Sequence, residues 1–228
     1  MRRLLAAALL TGCGVEPAPV TRDGGLTWTV QRGAFPAVEV APFDAAVLSW
    51  NGDGDCRAEL RVRTAGVWSS WYTMGVAAGG RLSSVKQKGV DVDTLFLSAP
   101  AQAFQVRVEG GVVRSVAVTH WLRSGRRTCS MVRSAAWGRT LEVPARSQTS
   151  ERADIAGRIC SPTSLAMALE FLGAKRPTEE IASLVYDHDA KIYGNWSFNA
   201  AVAGRLLGES FVVRAEGYEL LEGEISAG

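Results

Sequence analysis

The residue best suited to chemistry is Cys160, in GRICSPTSLAMALEFLG (157–173). It stands directly before an apolar run of helical period, with Pro162 in the first turn, where a missing N–H costs nothing. A thiol there meets unpaired backbone N–H groups and the positive end of the helix dipole, which favour the nucleophilic form. A structural cysteine more often sits inside the apolar stripe, at a position such as Leu165 or Leu169, so position alone leaves both readings open. Nucleophilic work also needs a base. The chain has two histidines, His120 and His188. His120 lies beside Trp121 at the end of a strand-like run. His188 lies between Asp187 and Asp189 in the loop DHDAKIYGNW (187–196), where the ordinary reading is a loop residue bonded to its neighbours.

These residues need elements to hold them. Leu165, Leu169 and Leu172 recur at i, i+4 and i+7, with Gly173 placed to end the helix. Pro177-Thr178 starts a second helix with Glu179 and Glu180 in its first turn, favourable to the dipole, and an apolar face of Ile181, Leu184 and Val185. Asn195 or Ser197 can cap a third helix that runs through Leu207 and stops at Gly208. FVVR (211–214) reads as a strand and 218–225 as a last short helix. Upstream, from about 26 to 122, the pattern is different. TWTV, AVLSW, AELRVRT, TLFLS, FQVRVEG and SVAVTHW are short runs rich in Val, Leu, Thr and aromatics, separated by turn clusters such as NGDGD (51–55). This spacing predicts an all-β sandwich.

The amino terminus reads as an export signal. Arg2 and Arg3 precede an apolar run from Leu4 to Leu10, too short to span a bilayer. Leu10-Thr11-Gly12-Cys13 resembles the bacterial lipobox, which implies cleavage before Cys13 and lipid on its sulfur. The expected product is a chain lipid-anchored at the cell envelope or extracellular, with 13–24 as its tether. Removal of residues 1–12 takes away Arg2 and Arg3 and leaves 23 basic against 23 acidic residues. Such a balance argues against nucleic acid as a partner. Export also permits disulfides. Cys56, Cys129 and Cys160 are three, so one thiol is left over; a Cys56–Cys129 pair would tie the β region to the linker. That linker is residues 123–140, with Arg123, Arg126, Arg127, Arg133 and Arg139. Its charge suits local salt bridges first and lipid headgroups second.

The segment LEVPARSQ (141–148) ends in Gln148, upstream of the cysteine. Gln148 followed by a helix-starting Cys160 resembles the front half of a papain-like cysteine peptidase. VPARSQ, ICSPTSLAMALEFLG and YDHDAKIYGNWSFNAAVAG are similar to bacterial secreted peptidases of the bacteriocin-leader-processing type. SWNGDGD, VWSSWYTMG, SSVKQ and VDTLFLSAP resemble the β domain that precedes such peptidase domains. The resemblance implies an α+β chain: a β-sandwich over 25–122, then the helical front half of a papain-like domain over 141–228. It implies hydrolysis of a peptide or protein substrate, with Cys160 forming the acyl-enzyme and Gln148 beside the Cys160 N–H in the oxyanion hole, where charge develops. The loop residues His188, Tyr193, Gly194, Asn195 and Trp196 then flank the substrate cleft. The Gln148–Cys160 interval is longer than in papain, with ERADIAG between.

In that family the base is a histidine well downstream, oriented by an Asp or Asn. Residues 189–228 contain no histidine. Three expectations arise: a fragment of a longer peptidase, a shortened chain that has lost catalysis and keeps a surface-binding role, or His188 in the place of the usual base. In the β region, Trp50, Trp68, Trp71 and Tyr72 suggest a glycan-facing platform, with Trp68 and Tyr72 on one face and Trp71 on the other by alternation. Asp53 and Asp55 in NGDGD lack the EF-hand spacing and read as a turn. No phosphate loop, zinc spacing or dinucleotide fingerprint is present, so neither metal nor cofactor is expected.

Overall fold

The computed structural model describes residues 20–22, 26–32, 35–125, 134–215 and 218–227. The chain is α+β, an amino-terminal antiparallel sheet followed by helices. The strands are β1 (Val20–Arg22), β2 (Leu26–Arg32), β3 (Val38–Thr64), β4 (Val67–Trp68), β5 (Tyr72–Ala78), β6 (Arg81–Ser83), β7 (Val90–Asp91) and β8 (Thr94–Trp121). They form one sheet in the order β1-β2-β8-β3-β5-β6, with β4 on β3 and β7 on β8. Among the described residues no helix is long and apolar enough to cross a membrane.

Two long ribbons carry the sheet. β3 has 27 residues and β8 has 28, so the short runs legible in the sequence are fused in pairs. Ser49 and Asn51 pair with Ala117 and Ser115, whereas Cys56 to Arg63 pair with Gly110 to Ala103. Ala45 and Ala46 also pair on their other side with Phe96 and Leu95. The ribbons therefore bend and fold the sheet over a common core. NGDGD is the bend itself and not a chain-reversing turn. The register slips between Asn51 and Gly52 and again between Asp53 and Cys56. A side chain at Gly52 would lie 2.5 Å from the Val112 carbonyl oxygen, and Gly110 and Gly111 opposite have φ of +78° and +63°. These glycines let two backbones approach at a bulge. The aspartates serve that bend: Asp53 pairs with Arg114 at 2.6 Å, and Asp55 accepts from the Gly79 N–H at 2.9 Å.

The core follows the two-residue period. Cys56, Ala58, Leu60 and Val62 point inward with Met74, Phe104 and Val106, while Arg57, Arg61 and Arg63 point outward. On that outer face the alternation predicted for VWSSWY fails. The strand breaks after Trp68, where Ser69 donates its N–H to the Val62 carbonyl and its hydroxyl accepts from the Val62 N–H. Trp68 and Trp71 thus come to the same side. The Arg61 guanidinium lies 4.8 Å from one indole and 4.7 Å from the other, and Arg107 lies 4.5 Å from Trp71. Gln105 and Glu59 in turn hold Arg61 and Arg107. Stacked arginines therefore cover much of these two indoles. Trp50 belongs to the core and not to any platform. It is 3% exposed and meets Phe198 edge-on at 6.0 Å.

His120 is also a core residue. It is 3% exposed, with its ring 5.1 Å from Phe43 and 5.8 Å from Phe104, and its Nε2 has no partner. Burial pushes its pKa down to about 4. The unfolded chain therefore takes up this proton first as pH falls from about 6.5. The stability is complete above that value and is lost as pH falls toward 4. Between pH 7 and pH 5 the loss is about 2 kcal/mol. Urea titrations at the two pH values should show it, and His120→Leu should flatten the difference; an unchanged difference in the variant would assign acid sensitivity elsewhere.

The helical region is α1 (Cys160–Phe171), α2 (Thr178–Val185), α3 (Trp196–Leu207) and α4 (Tyr218–Ala227). All four expected helices form, with α4 starting at Tyr218, and Gly173 and Gly208 end α1 and α3 with φ of +92° and +99°. Ala166, Leu169, Ile181, Val185, Val202 and Ala203 form a second core among α1, α2 and α3. Phe198 and Ala201 of α3 reach the sheet's own core. FVVR is not a strand. Its Val212 donates to Ser49 Oγ at 3.3 Å and accepts from the Thr119 hydroxyl, so side chains satisfy its backbone in place of a ladder. α4 lies against the segment after 134, through Trp137 Nε1 to Glu222 at 2.7 Å and Arg139 to the Ser226 carbonyl at 2.7 Å. Arg123 pairs with Asp44 at 3.3 Å and donates to the Leu97 carbonyl. Cys13, Cys129, Arg126, Arg127 and Arg133 lie outside the described residues.

Candidate active site

Cys160 is the first residue of α1 and is exposed. No side chain caps this helix, and Pro162 in its first turn has no N–H. The free donors of the helix start thus lie beside the thiol. Thr163 closes the first turn, giving both its N–H (3.0 Å) and its hydroxyl (2.7 Å) to the Ile159 carbonyl. The next residue, Ser161, accepts from Asn199 Nδ2 of α3 at 2.7 Å. The start of α1 is therefore held from both sides while Cys160 stays open.

Gln148 begins a 3-10 turn over Gln148–Ser150, upstream of α1. The extra length before Cys160 is taken up by backbone turns. Ile155 and Ala156 donate to the Arg152 carbonyl, Arg158 donates to Ile155, and Arg152 pairs with Asp154 at 2.6 Å. Among the described residues the buried Gln148 Oε1 has no hydrogen-bond partner. Arg146, in the VPARSQ stretch, holds this segment in place, a role its sequence context did not reveal. Its guanidinium reaches Glu170 of α1, the Arg176 carbonyl and the Thr178 hydroxyl, and its N–H donates to Met167 Sδ at 3.3 Å. Lys175 and Arg146 together hold the Glu170 carboxyl below the usual carboxylate range.

The 187–196 loop is built around Asp187, which is completely buried. Its Oδ1 accepts from the N–H groups of Ser84, Asp189 and Ala190 at 3.1, 3.1 and 3.0 Å. Its Oδ2 accepts from Asn195 Nδ2 at 3.0 Å. Asn195 in turn caps α3, accepting from the Phe198 N–H at 3.1 Å. Asp93, in the turn between β7 and β8, adds a second acceptor at that helix start, taking the Trp196 N–H at 2.6 Å; burial raises its pKa against this bond. Asn195 is thus wholly buried and engaged, with no open group toward a cleft. Gly194 and Trp196 are exposed, and Trp196 keeps 55% of its surface.

His188 gives its N–H to the Leu82 carbonyl at 3.0 Å, and its ring lies 4.9 Å from Tyr186. Tyr193 stacks on Tyr186 at 4.8 Å and lies under the Arg158 guanidinium at 5.6 Å. Arg158, two residues before Cys160, also bonds the Lys191 carbonyl. The loop is thereby tied to the approach to the thiol. Among the described residues neither histidine is hydrogen-bonded to Cys160. Cys56, the other described thiol, is buried in the sheet core, and burial pushes its pKa up. No cluster of His, Cys, Asp or Glu among the described residues is arranged to hold a metal ion.

The described site is an exposed thiol at an uncapped helix start, with Gln148 upstream of it. Residues 140–227 match the model of the Peptidase_C39 like family, which supports a cysteine-peptidase-like domain over that stretch. No curated protein and no solved structure matches the chain.

Proposed function

We propose that the chain is an exported cysteine peptidase scaffold, lipid-anchored through Cys13, in which Cys160 attacks a peptide carbonyl. The observation that carries the reading is the exposed Cys160 at the uncapped start of α1, within the stretch that matches the peptidase family. Gln148 is the oxyanion-hole donor through its Nε2 N–H; its place upstream of Cys160, within the stretch that matches the peptidase family, is the support for that role. The thiolate adds to the carbonyl carbon, the oxygen takes the charge, and collapse expels the amine and leaves a thioester for water to cleave. The proton transfers need a base. Among the described residues neither histidine is hydrogen-bonded to Cys160, so the structure brings no base to it. The anchor rests on Arg2, Arg3, the Leu4–Leu10 run and the order Leu-Thr-Gly-Cys.

The same lack of a bonded histidine supports a second reading, a non-catalytic surface lipoprotein that binds through its β domain, with a glycan as the partner considered. Alkylation separates the two. With iodoacetamide, Cys160 in the folded chain should react faster than the same cysteine in an unstructured peptide of local sequence. Equal or slower reaction would favour the non-catalytic reading. Peptide turnover by the 228-residue chain is expected to be absent, and turnover that disappears in Cys160→Ala would return the base to His188.

A further inference from the structure

We propose that the cavity between the sheet, α1 and α3 is a specificity pocket that seats one large apolar side chain of a peptide held at Cys160. The inference deepens the thiol-peptidase reading and rests on it. The cavity measures about 540 Å³ and is walled by Trp121, Leu165, Trp196, Phe211 and Val213, with Asn199 at the seam of the two helices. That volume lies within the range of small-ligand pockets, which are mostly apolar with a few placed polar groups. Arg214 also lines it, with its guanidinium 4.7 Å from the Trp121 ring. An aromatic or branched side chain gains burial against these apolar walls.

The place ties the cavity to the thiol. Leu165 lies on α1 about 7.5 Å along the axis from Cys160. One turn before Leu165 is Ser161, which follows Cys160 and is bonded to Asn199. Asn199 also supplies the reason to expect a peptide and not a hydrocarbon. Its Nδ2 is committed to Ser161, and its Oδ1 is buried with no donor. A peptide brings an N–H beside every side chain, and a small rotation of the carboxamide brings Oδ1 to it. Half-exposed Trp196 leaves the mouth open to solvent.

The test uses the 228-residue chain with N-acetyl-phenylalaninamide, N-acetyl-leucinamide, N-acetyl-alaninamide and toluene. Binding is read by ligand-observed NMR, and iodoacetamide labelling is quantified at Cys160 by mass spectrometry. The phenylalanine and leucine amides should bind about tenfold tighter than the alanine amide, and should slow labelling of Cys160. Val213→Trp, on an irregular and partly exposed segment, should fill the cavity and abolish the difference while far-UV circular dichroism stays unchanged. Asn199→Ala should weaken the amides about tenfold and leave toluene unaffected. Equal binding of the alanine amide, indifference of the amides to Asn199→Ala, or unslowed labelling of Cys160 would each overturn the pocket. Asn199-dependent binding that slows Cys160, in a protein whose Cys160 labels no faster than a peptide thiol, would leave the pocket standing and sink the peptidase reading alone.

Discussion

Asp187→Ala is expected to destabilise the fold by about 4 kcal/mol, because four donors lose one buried acceptor group. Three are backbone N–H groups, of Ser84, Asp189 and Ala190, and the fourth is the Asn195 amide. Urea unfolding with unchanged slope would measure the loss. The residue joins three parts: Ser84 after β6, the 187–196 loop, and the cap of α3. A pairwise exchange separates this from a general burial effect. Asp187→Asn turns an amide toward the Asn195 amide, and Asn195→Asp sets two carboxylates together away from water. Each single change should cost about 2 kcal/mol or more. The double exchange restores one donor facing one acceptor, and the carboxylate introduced at position 195 can still accept from the Phe198 N–H. It should recover most of the stability. Additive losses in the double variant would show that the pair is not the hub of the loop.

The helices were legible because their signals are local. The i, i+4 leucines, the Pro177-Thr178 start, the Asn195 cap and the glycine stops each act within a few residues, and α1, α2 and α3 form where those signals lie. The position of Cys160 at a helix start came from the same source. What the sequence hid is long-range. NGDGD has the composition of a turn, and only the facing Gly110 and Gly111 make it a bend in a continuous ribbon. VWSSWY alternates on paper, yet Ser69 breaks the strand and the arginines of β3 and β8 gather both indoles. FVVR has a strand's composition but its Val212 meets the Ser49 and Thr119 side chains and enters no ladder. Asp187, Asn199 and Arg146 lie in stretches that resemble the peptidase family, but their roles stayed hidden because they depend on distant partners: Ser84 for Asp187, Ser161 for Asn199 and Glu170 for Arg146.

Those long-range bonds bear on function, because they set the angle at which the sheet presents the helices. Gly204→Ala tests the closest of these approaches. A methyl group there would stand 1.8 Å from Asn51 Oδ1 and 2.9 Å from its Cγ. Asn51 cannot step aside cheaply. It is completely buried, donates to Ser115 Oγ at 3.1 Å and accepts from the Ser210 N–H at 2.8 Å. Either Asn51 gives up both bonds or α3 withdraws from β3, and the expected cost is about 3 kcal/mol. The greater helix propensity of alanine returns at most about 1 kcal/mol of this. Withdrawal of α3 also strains the Asn199–Ser161 bond next to Cys160, so labelling of the thiol should change together with stability. A second variant separates the two paths. Asn51→Ala removes the obstruction but strands the Ser210 N–H and Ser115 hydroxyl, and so is destabilising on its own. Combined with Gly204→Ala it should cost less than the sum of the singles, by about 1 kcal/mol. Full additivity would mean that the helix does not rest on Asn51, and that the sheet does not set the position of the helices around the thiol.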